Sequence, residues 1–355
     1  MRGRLTTALS GFKILCDNEE MTVIDTHGNE LTINQAIDAY LRSVSLARSV
    51  NTYHTYRNGM AAFRNTLEDN GLDLDHNSTH EIPEEAVGWF AADLKSFAPS
   101  TERLYLTAAT GLYEYLAAEN LAEINLPRIH LLIRQRSRRP GIRLPQFPKN
   151  AISELLEKID GLKSREVANE LDHLINLRDR AFLITLGDTG LRVHEACNLV
   201  RGDVDWFESR AVIIGKGNKQ AVVRFSQRSM AAIKDYLAAR GTIDGSSGRP
   251  LRALPLFARH DKAVGKRVKA ISTTSGRQIV RDRVAEFLGE EAVGTITPHS
   301  FRHYFVTTVL QASGNLKLAQ ELARHQSISV TQRYAHLNDD ELDQGYTNIF
   351  DRKKL

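Results

Sequence analysis

From Ile124 to Ser153 the chain carries no acidic residue, while Arg128, Arg134, Arg136, Arg138, Arg139, Arg143 and Lys149 all fall within it. Pro140, Gly141, Pro145 and Pro148 interrupt regular structure in the same stretch, because proline lacks the backbone donor and crowds the preceding turn. Such a segment does not belong inside a core. It divides the 355 residues into two folded parts joined by a basic linker. A solvated connector and a strap laid along a phosphate backbone would look alike here, and the strap is the expectation. The resulting division is an extension at 1–30, a first domain at 31–127, the linker at 128–150, a second domain at 151–337 and a tail at 338–355.

Residues 1–30 say little beyond a short hairpin expected around His27-Gly28-Asn29. From 31 to 120 the periodicity predicts four helices. The first shows an apolar face of Leu31, Ile33, Ala36, Ile37, Tyr40 and Leu41, the second spans Ser49 to Glu68, and the third follows Pro83. The fourth starts near Ser100 as cap and carries Leu104, Leu106, Ala109, Leu112, Tyr113 and Leu116. In the second domain AISELLEKI and LRDRAFLITLGDTG read as helices, the latter closing on a Thr-Gly turn. LRVHEACNL begins another helix just after Arg192, and AVIIGKGNKQAVVRF is a β-hairpin with Lys216 in its turn. A further basic group follows: Arg259, Lys262, Lys266, Arg267 and Lys269. The fold class is thus mainly α with a small β-hairpin or sheet.

A hydrophobic content of 42% is enough for real cores. Cys16 and Cys197 alone exclude a disulfide framework or a cysteine-based zinc site and fit a reducing cytosol, so a cytoplasmic, nucleoid-associated protein is expected. No run of about 18 apolar residues is present, so no membrane partner is expected. The net charge of +4 is small, but the pI near 9.0 and the clustered arginines point to a polyanionic partner.

The stretch TPHSFRHYFVTTVLQASGNLKLAQELARHQSISVTQRYAH, Thr297 to His336, concentrates the chemistry. Thr297 suits an N-cap and Pro298 the first helical position. On the helix that follows, His299, Arg302 and His303 are neighbours at i, i+3 and i+4, bordering an apolar stripe of Phe301, Phe305, Val306, Val309 and Leu310. An arginine against a core is expected to hold an anion. Taken singly, HxxRH could be a helix edge and Tyr334 a packing residue. Taken jointly, Arg192, Lys216, His299, Arg302, His325 and Tyr334 include no carboxylate or thiolate and make a poor metal site. They suit one phosphodiester, which needs positive charge on its non-bridging oxygens, a proton donor for the leaving oxygen and a placed nucleophile.

These motifs closely resemble those of the tyrosine recombinases, the phage-integrase family. TGLRVHEACNL is similar to the family's Arg-x-x-Glu box with Arg192 and Glu195, and GKGNKQAVVRF to its lysine hairpin. TPHSFRHYF resembles its His-x-x-Arg-His box, and ARHQSISVTQRYAH its final box. The resemblance implies a four-helix core-binding domain and a catalytic domain forming a C-shaped clamp on double-stranded DNA. By it, Tyr334 attacks the phosphate to give a 3′-phosphotyrosyl bond, and Arg192 and Arg302 hold the non-bridging oxygens. Lys216 protonates the 5′-oxygen, His299 assists the tyrosine, and His325 bonds the phosphate. Glu195 and His303 support them, with no metal or other cofactor. It also implies a protein monomeric when free that assembles as a tetramer on paired inverted half-sites, its tail docking on a neighbouring protomer. Accessory DNA-bending or directionality proteins would fit beside it. Arg134, Arg136, Arg138, Arg139, Arg143, Lys266, Arg267 and Arg324 are the expected DNA contacts.

Two residues depart from the family pattern. Phe301 replaces a leucine, and Arg324 stands where the family has glycine before the histidine. Either that turn does not need positive φ, or Arg324 adds a phosphate contact. Integration for a mobile element is the expected role, with Xer-type resolution or type IB topoisomerase-like strand passage as alternatives. From another class, LKLAQELARHQSISVTQRYAHL could be the helix-turn-helix of a non-enzymatic regulator, with Leu318, Leu322 and Val330 as its apolar positions.

Overall fold

The computed structural model describes residues 6–7, 13–17, 20–24, 31–138, 148–214, 220–261, 268–325 and 327–332. The chain divides into two compact units, Met1–Ile142 and Arg143–Leu355.

The first unit opens with a small antiparallel sheet of β1 (Thr6–Thr7), β2 (Lys13–Asp17) and β3 (Glu20–Ile24), with Ile14 opposite Val23 and Cys16 opposite Met21. This corrects the expected hairpin. Residues 21–24 pair backwards with β2, while His27–Asn29 lie outside the described residues. The segment that would have been the returning strand starts a helix instead. Thr32 accepts from the Gln35 N–H at 3.3 Å and Gln35 accepts from the Thr32 N–H at 3.1 Å, a reciprocal cap that outweighs a short strand pattern.

Five helices follow: α1 (Ile33–Ala47), α2 (Val50–Asp69), α3 (Ala86–Asp93), α4 (Pro99–Ala118) and α5 (Leu126–Arg136). Ile37, Met60, Phe63, Phe90, Leu112 and Tyr113 form their shared core, each fully buried. Helix α4 begins at Pro99 after Ala98 rather than with Ser100 as cap, and Leu104, expected inside, is exposed.

Helix α5 lies where a broken linker was expected. The breaking prolines all follow it, and Asn125 caps it by accepting from the Arg128 N–H at 3.1 Å. Ile129 is its buried anchor. Three of the arginines here are engaged within the unit. Arg128 pairs with Glu84 and Glu85, and Arg138 with Glu102, whose side chain is 1% exposed. The Arg136 guanidinium lies over Gly88, where a Cβ would sit 1.7 Å from Nη1. Burial pushes the Glu102 carboxyl up, but the Arg138 backbone N–H and the Lys95 ammonium outweigh it and hold it down to about 2.

The second unit is built around α7 (Glu170–Thr189), a helix buried on nearly every side from Leu174 onward. Against it pack α6 (Lys149–Asp160), α9 (Gln227–Ala239) and α12 (Pro298–Ser313). The short α8 (Val193–Asn198) leads into a sheet of β4 (Val204–Asp205), β5 (Arg210–Ile214) and β6 (Gln220–Arg224), antiparallel, with Val212 opposite Val222. Ala211, Ile213 and Val223 face the core, as period-two alternation requires. The remaining helices are α10 (Gly241–Gly245), α11 (Thr273–Leu288), α13 (Leu316–Ala323) and α14 (Ile328–Gln332). Phe182, Tyr236, Phe257 and Phe301 fill this second core. Among the described residues no helix is long and apolar enough to cross a membrane.

Candidate active site

Helix α7 stops at Gly190, which takes φ 60°, ψ 23°. A side chain there would be strained and would also meet the Phe305 ring, 2.5 Å from an ideal Cβ. The reversal leaves the Gly190 carbonyl pointing at α12, where Arg302 Nη1 donates to it at 2.5 Å. Arg302 also donates to the Ala323 carbonyl at the end of α13. Its residue is 3% exposed. The anion expected for an arginine against the core is thus replaced, in the protein alone, by two helix-terminal carbonyl oxygens, which carry the partial negative charge of a helix C-terminus.

Two residues past Gly190, Arg192 caps α8. Its backbone N–H and its guanidinium both donate to Glu195, at 2.8 Å and 2.9 Å. Glu195 is buried. Burial alone would push its carboxyl up, but these Arg192 bonds outweigh it and, with the nearby Arg324 charge, hold it below the usual carboxylate range. The Arg192 side chain stays 39% exposed, so a fork anchored on one edge has its other edge open.

His299 and His303 stack edge to face on α12 with ring centres 4.2 Å apart. His325 follows α13, its Nδ1 2.8 Å from Thr331 Oγ1 on α14. Thr331 is completely buried, and the Gln320 side chain donates to the His325 carbonyl at 3.2 Å. All three rings are pushed towards neutrality. Burial lowers His299, with Arg302 and Arg192 adding to it. Burial, then His299 and Arg302, lower His303 to about 4. Burial, then Arg302, Arg192 and Arg324, lower His325 to about 4. Burial is the first cause in all three, and the charge of Arg302 adds to it in each, so the site is both desolvated and electropositive, an environment suited to an anion.

A cavity of about 600 Å³ opens beside these groups, lined by Arg192, His299 and Arg302 together with Pro298, Arg277 and Arg281. Arg277 and Arg281 were not singled out in the sequence. Their i, i+4 spacing on α11 was the available signal; Thr331 was missed as well, and nothing local marked it.

The structure therefore brings Arg192, Glu195, His299, Arg302, His303, His325 and Arg324 together. Lys216, Tyr334, Arg139, Arg143, Lys266, Arg267 and residues 338–355 lie outside the described residues. Arg134 is on α5, in the other unit with Arg136 and Arg138. Arg324 corrects both earlier alternatives. The turn does take positive φ, at 58°, and the arginine adopts it. Its side chain is 10% exposed and turned inward towards Glu195, Thr189 and Gly190 rather than outward to a phosphate. The helix-turn-helix pattern also fails at two of its three apolar positions, Leu322 alone being half-buried. Leu318 and Val330 are exposed, and α13 is anchored by Ala319 and Ala323 instead.

Comparison with known proteins bears on the same residues. Residues 160–341 match the model of the phage integrase family. The chain is 31% identical over 312 residues to tyrosine recombinase XerD of Mycobacterium tuberculosis, covering 85% of this chain and 93% of that one. It is 28% identical to tyrosine recombinase XerC of Staphylococcus aureus, covering 91% and 98%. Among solved structures, the XerH site-specific recombinase bound to palindromic difH substrate aligns with a TM-score of 0.64 at 20% identity, over 89% of this chain and 84% of that one. A lambda integrase dimer bound to a core site aligns at 0.55 and 14% identity, over 84% and 97%. These structural likenesses speak to the fold.

Proposed function

This chain belongs to the phage integrase family, and from that premise we propose how its own residues divide the work of cutting and rejoining DNA. The enzyme is a tyrosine-type site-specific recombinase. The observation that carries the division of labour is the convergence of Arg192, His299 and Arg302 on one electropositive cavity wall, with His303 stacked on His299 and His325 under the charge of the same arginines. Arg192, held by Glu195 on one edge, and Arg302, held on two carbonyls, present their guanidinium groups to the non-bridging oxygens of a scissile phosphate. Charge developing there is met by groups already oriented, so little reorganisation accompanies the reaction.

His325 donates from Nε2 to the phosphate. That tautomer requires the Thr331 hydroxyl to donate to Nδ1, an assignment the 2.8 Å contact permits. Neutral His299 takes up the proton of Tyr334 as its oxygen attacks phosphorus. The 3′-phosphotyrosyl bond forms, the bond to the 5′-oxygen breaks, and Lys216 supplies the proton to that oxygen. His303 steadies His299 through the edge-to-face contact. The broken phosphodiester is conserved in the tyrosyl link, so resealing by the 5′-hydroxyl of another strand needs no nucleotide hydrolysis. Two such exchanges pass through a Holliday junction.

Double-stranded DNA with paired inverted half-sites is the proposed partner, and a homotetramer on DNA the proposed assembly, with 338–355 as the exchanged tail. The clamp formed by two domains, and phosphate contacts by Arg134, Arg139, Arg143, Lys266 and Arg267, belong to the same proposal. Integration for a mobile element is the primary role. Xer-type resolution is the second reading, favoured by the near-complete coverage of XerC and XerD chains. Sequencing the DNA that the protein protects separates the two: a site carried on a mobile element supports integration, and a site confined to the chromosome supports resolution.

The decisive experiment uses a nicked duplex that loses a short fragment on cleavage and so traps the protein on the 3′ end. The wild-type chain should form a covalent adduct mapping to Tyr334. Tyr334→Phe should bind DNA equally and form none. An adduct that persists in Tyr334→Phe would sink the assignment of the nucleophile.

A further inference from the structure

Arg324 is an awkward residue by two measures. It holds a left-handed backbone at φ 58°, ψ 42°, which a side chain other than glycine or asparagine disfavours, and its Nε is buried without a hydrogen-bond partner. An outlier on both counts points to a role other than stability.

What it does is written in its acceptors. Arg324 Nη2 lies 3.3 Å from the Gly190 carbonyl, the same oxygen that accepts from Arg302 at 2.5 Å. The same Nη2 lies 3.6 Å from Glu195 Oε2, while the other oxygen of that carboxylate accepts from Arg192 at 2.9 Å. Nη1 is 3.4 Å from the Thr189 carbonyl and 3.2 Å from that of Leu322. One planar group thus spans the two acceptors on which the two phosphate-facing arginines are mounted.

We propose that Arg324 is a positioning residue that ties Arg192 and Arg302 into one unit, fixing the distance between their guanidinium groups through Glu195 and the Gly190 carbonyl. The inference rests on the recombinase reading of those two arginines. Arg324 itself does not touch DNA. Its side chain is 10% exposed, and the nearest groups to its fork are carbonyl and carboxylate oxygens of the protein. Nη2 alone meets both acceptors while Nη1 braces the group on the Thr189 and Leu322 carbonyls, so a lysine would keep the charge but lose the bracing arm.

The test takes the full chain with Arg324→Gly, Arg324→Lys and Glu195→Gln. Glycine accepts the positive φ without strain, so Arg324→Gly should fold. Its DNA affinity and salt dependence should match wild type, while single-turnover covalent trapping slows by about tenfold to a hundredfold, as a misplacement of reacting groups does. Arg324→Lys should fall between. Combined with Glu195→Gln, the glycine variant should slow trapping little further, because both changes break one linkage. A full trapping rate in Arg324→Gly overturns the proposal. So does weaker binding with a salt slope reduced by about 0.9, the mark of a lost phosphate contact. Strictly multiplicative slowing with Glu195→Gln would reduce Arg324 to packing. In the free protein, nitrogen-15 NMR of the Arg192 guanidinium should show faster rotation about its Nε–Cζ bond in Arg324→Gly, and unchanged rotation overturns the proposal without reference to activity. Absence of any adduct from wild type would instead count against the recombinase reading, leaving the NMR result to decide Arg324.

Discussion

Three histidines decide how the site responds to protons. In His303 and His325 the folded value, about 4, lies below the ordinary 6.5, so the unfolded chain binds more protons. Their contribution to stability is therefore complete above about pH 6.5 and is lost as pH falls towards 4. A bound phosphodiester cancels part of the charge from Arg192 and Arg302 and raises these values. The acid limb of the second-order trapping rate, which reports the free enzyme, should thus fall below the ordinary histidine range, because His299 must be neutral to take the Tyr334 proton and burial and the arginines lower it. That of the saturated rate should fall at higher pH. Coincident limbs near about 6.5 would show that neither burial nor the arginines act on these rings. The identities of Arg192, Glu195, His299, Arg302 and His325 were readable from their spacing, because phosphate chemistry asks for a particular set of groups. Thr331 and the Gly190 carbonyl were not. A buried hydroxyl and a backbone oxygen acquire their roles only when α7, α12 and α14 meet, and no local pattern encodes that meeting.

At the scale of elements, helix α5 shows where local reading stopped. Seven cations in an acid-free stretch looked solvated or DNA-bound, yet two of them, Arg128 and Arg138, find acids elsewhere in the chain: Glu84 and Glu85 before α3, and Glu102 in α4. Sequence distance hid the pairing, 36 residues in the case of Arg138 and Glu102. The helices of the second unit were more legible because their apolar positions lie within one or two turns of each other. Glu102 is the tether on which the end of α5 hangs, accepting from Lys95, from the Arg138 N–H and from the Arg138 guanidinium. Glu102→Ala should lower stability by about 1–2 kcal/mol, since it removes the charge-assisted bonds from Lys95 and Arg138 while leaving both half-exposed cations solvated. Urea unfolding of residues 1–142, followed by circular dichroism, would measure it. A loss under about 0.5 kcal/mol would place the pair among surface ion pairs of little consequence.

For the molecule as a whole, the two cores share no residue. Ile37, Phe63, Phe90 and Tyr113 belong to one, and Phe182, Tyr236, Phe257 and Phe301 to the other. Each is large enough to sustain cooperative folding, and each is bounded within its own unit. Scanning calorimetry of the free chain should therefore resolve two transitions, and residues 1–142 alone should reproduce one of them. A single transition, with the isolated fragment unfolded, would mean the second unit is needed to complete the first. DNA should raise both transitions if both units hold it.

Gly190 ends α7 by donating its N–H to Leu186 at 3.2 Å, and with its carbonyl it seats Arg302 and Arg324. Heat tolerance and turnover therefore pass through one residue, which has no side chain to vary. Laboratory evolution of this enzyme for hotter conditions would have to gain its resistance elsewhere, in α6, α9 or the first unit. Any lineage that altered the way this helix terminates would change its catalytic rate in the same step.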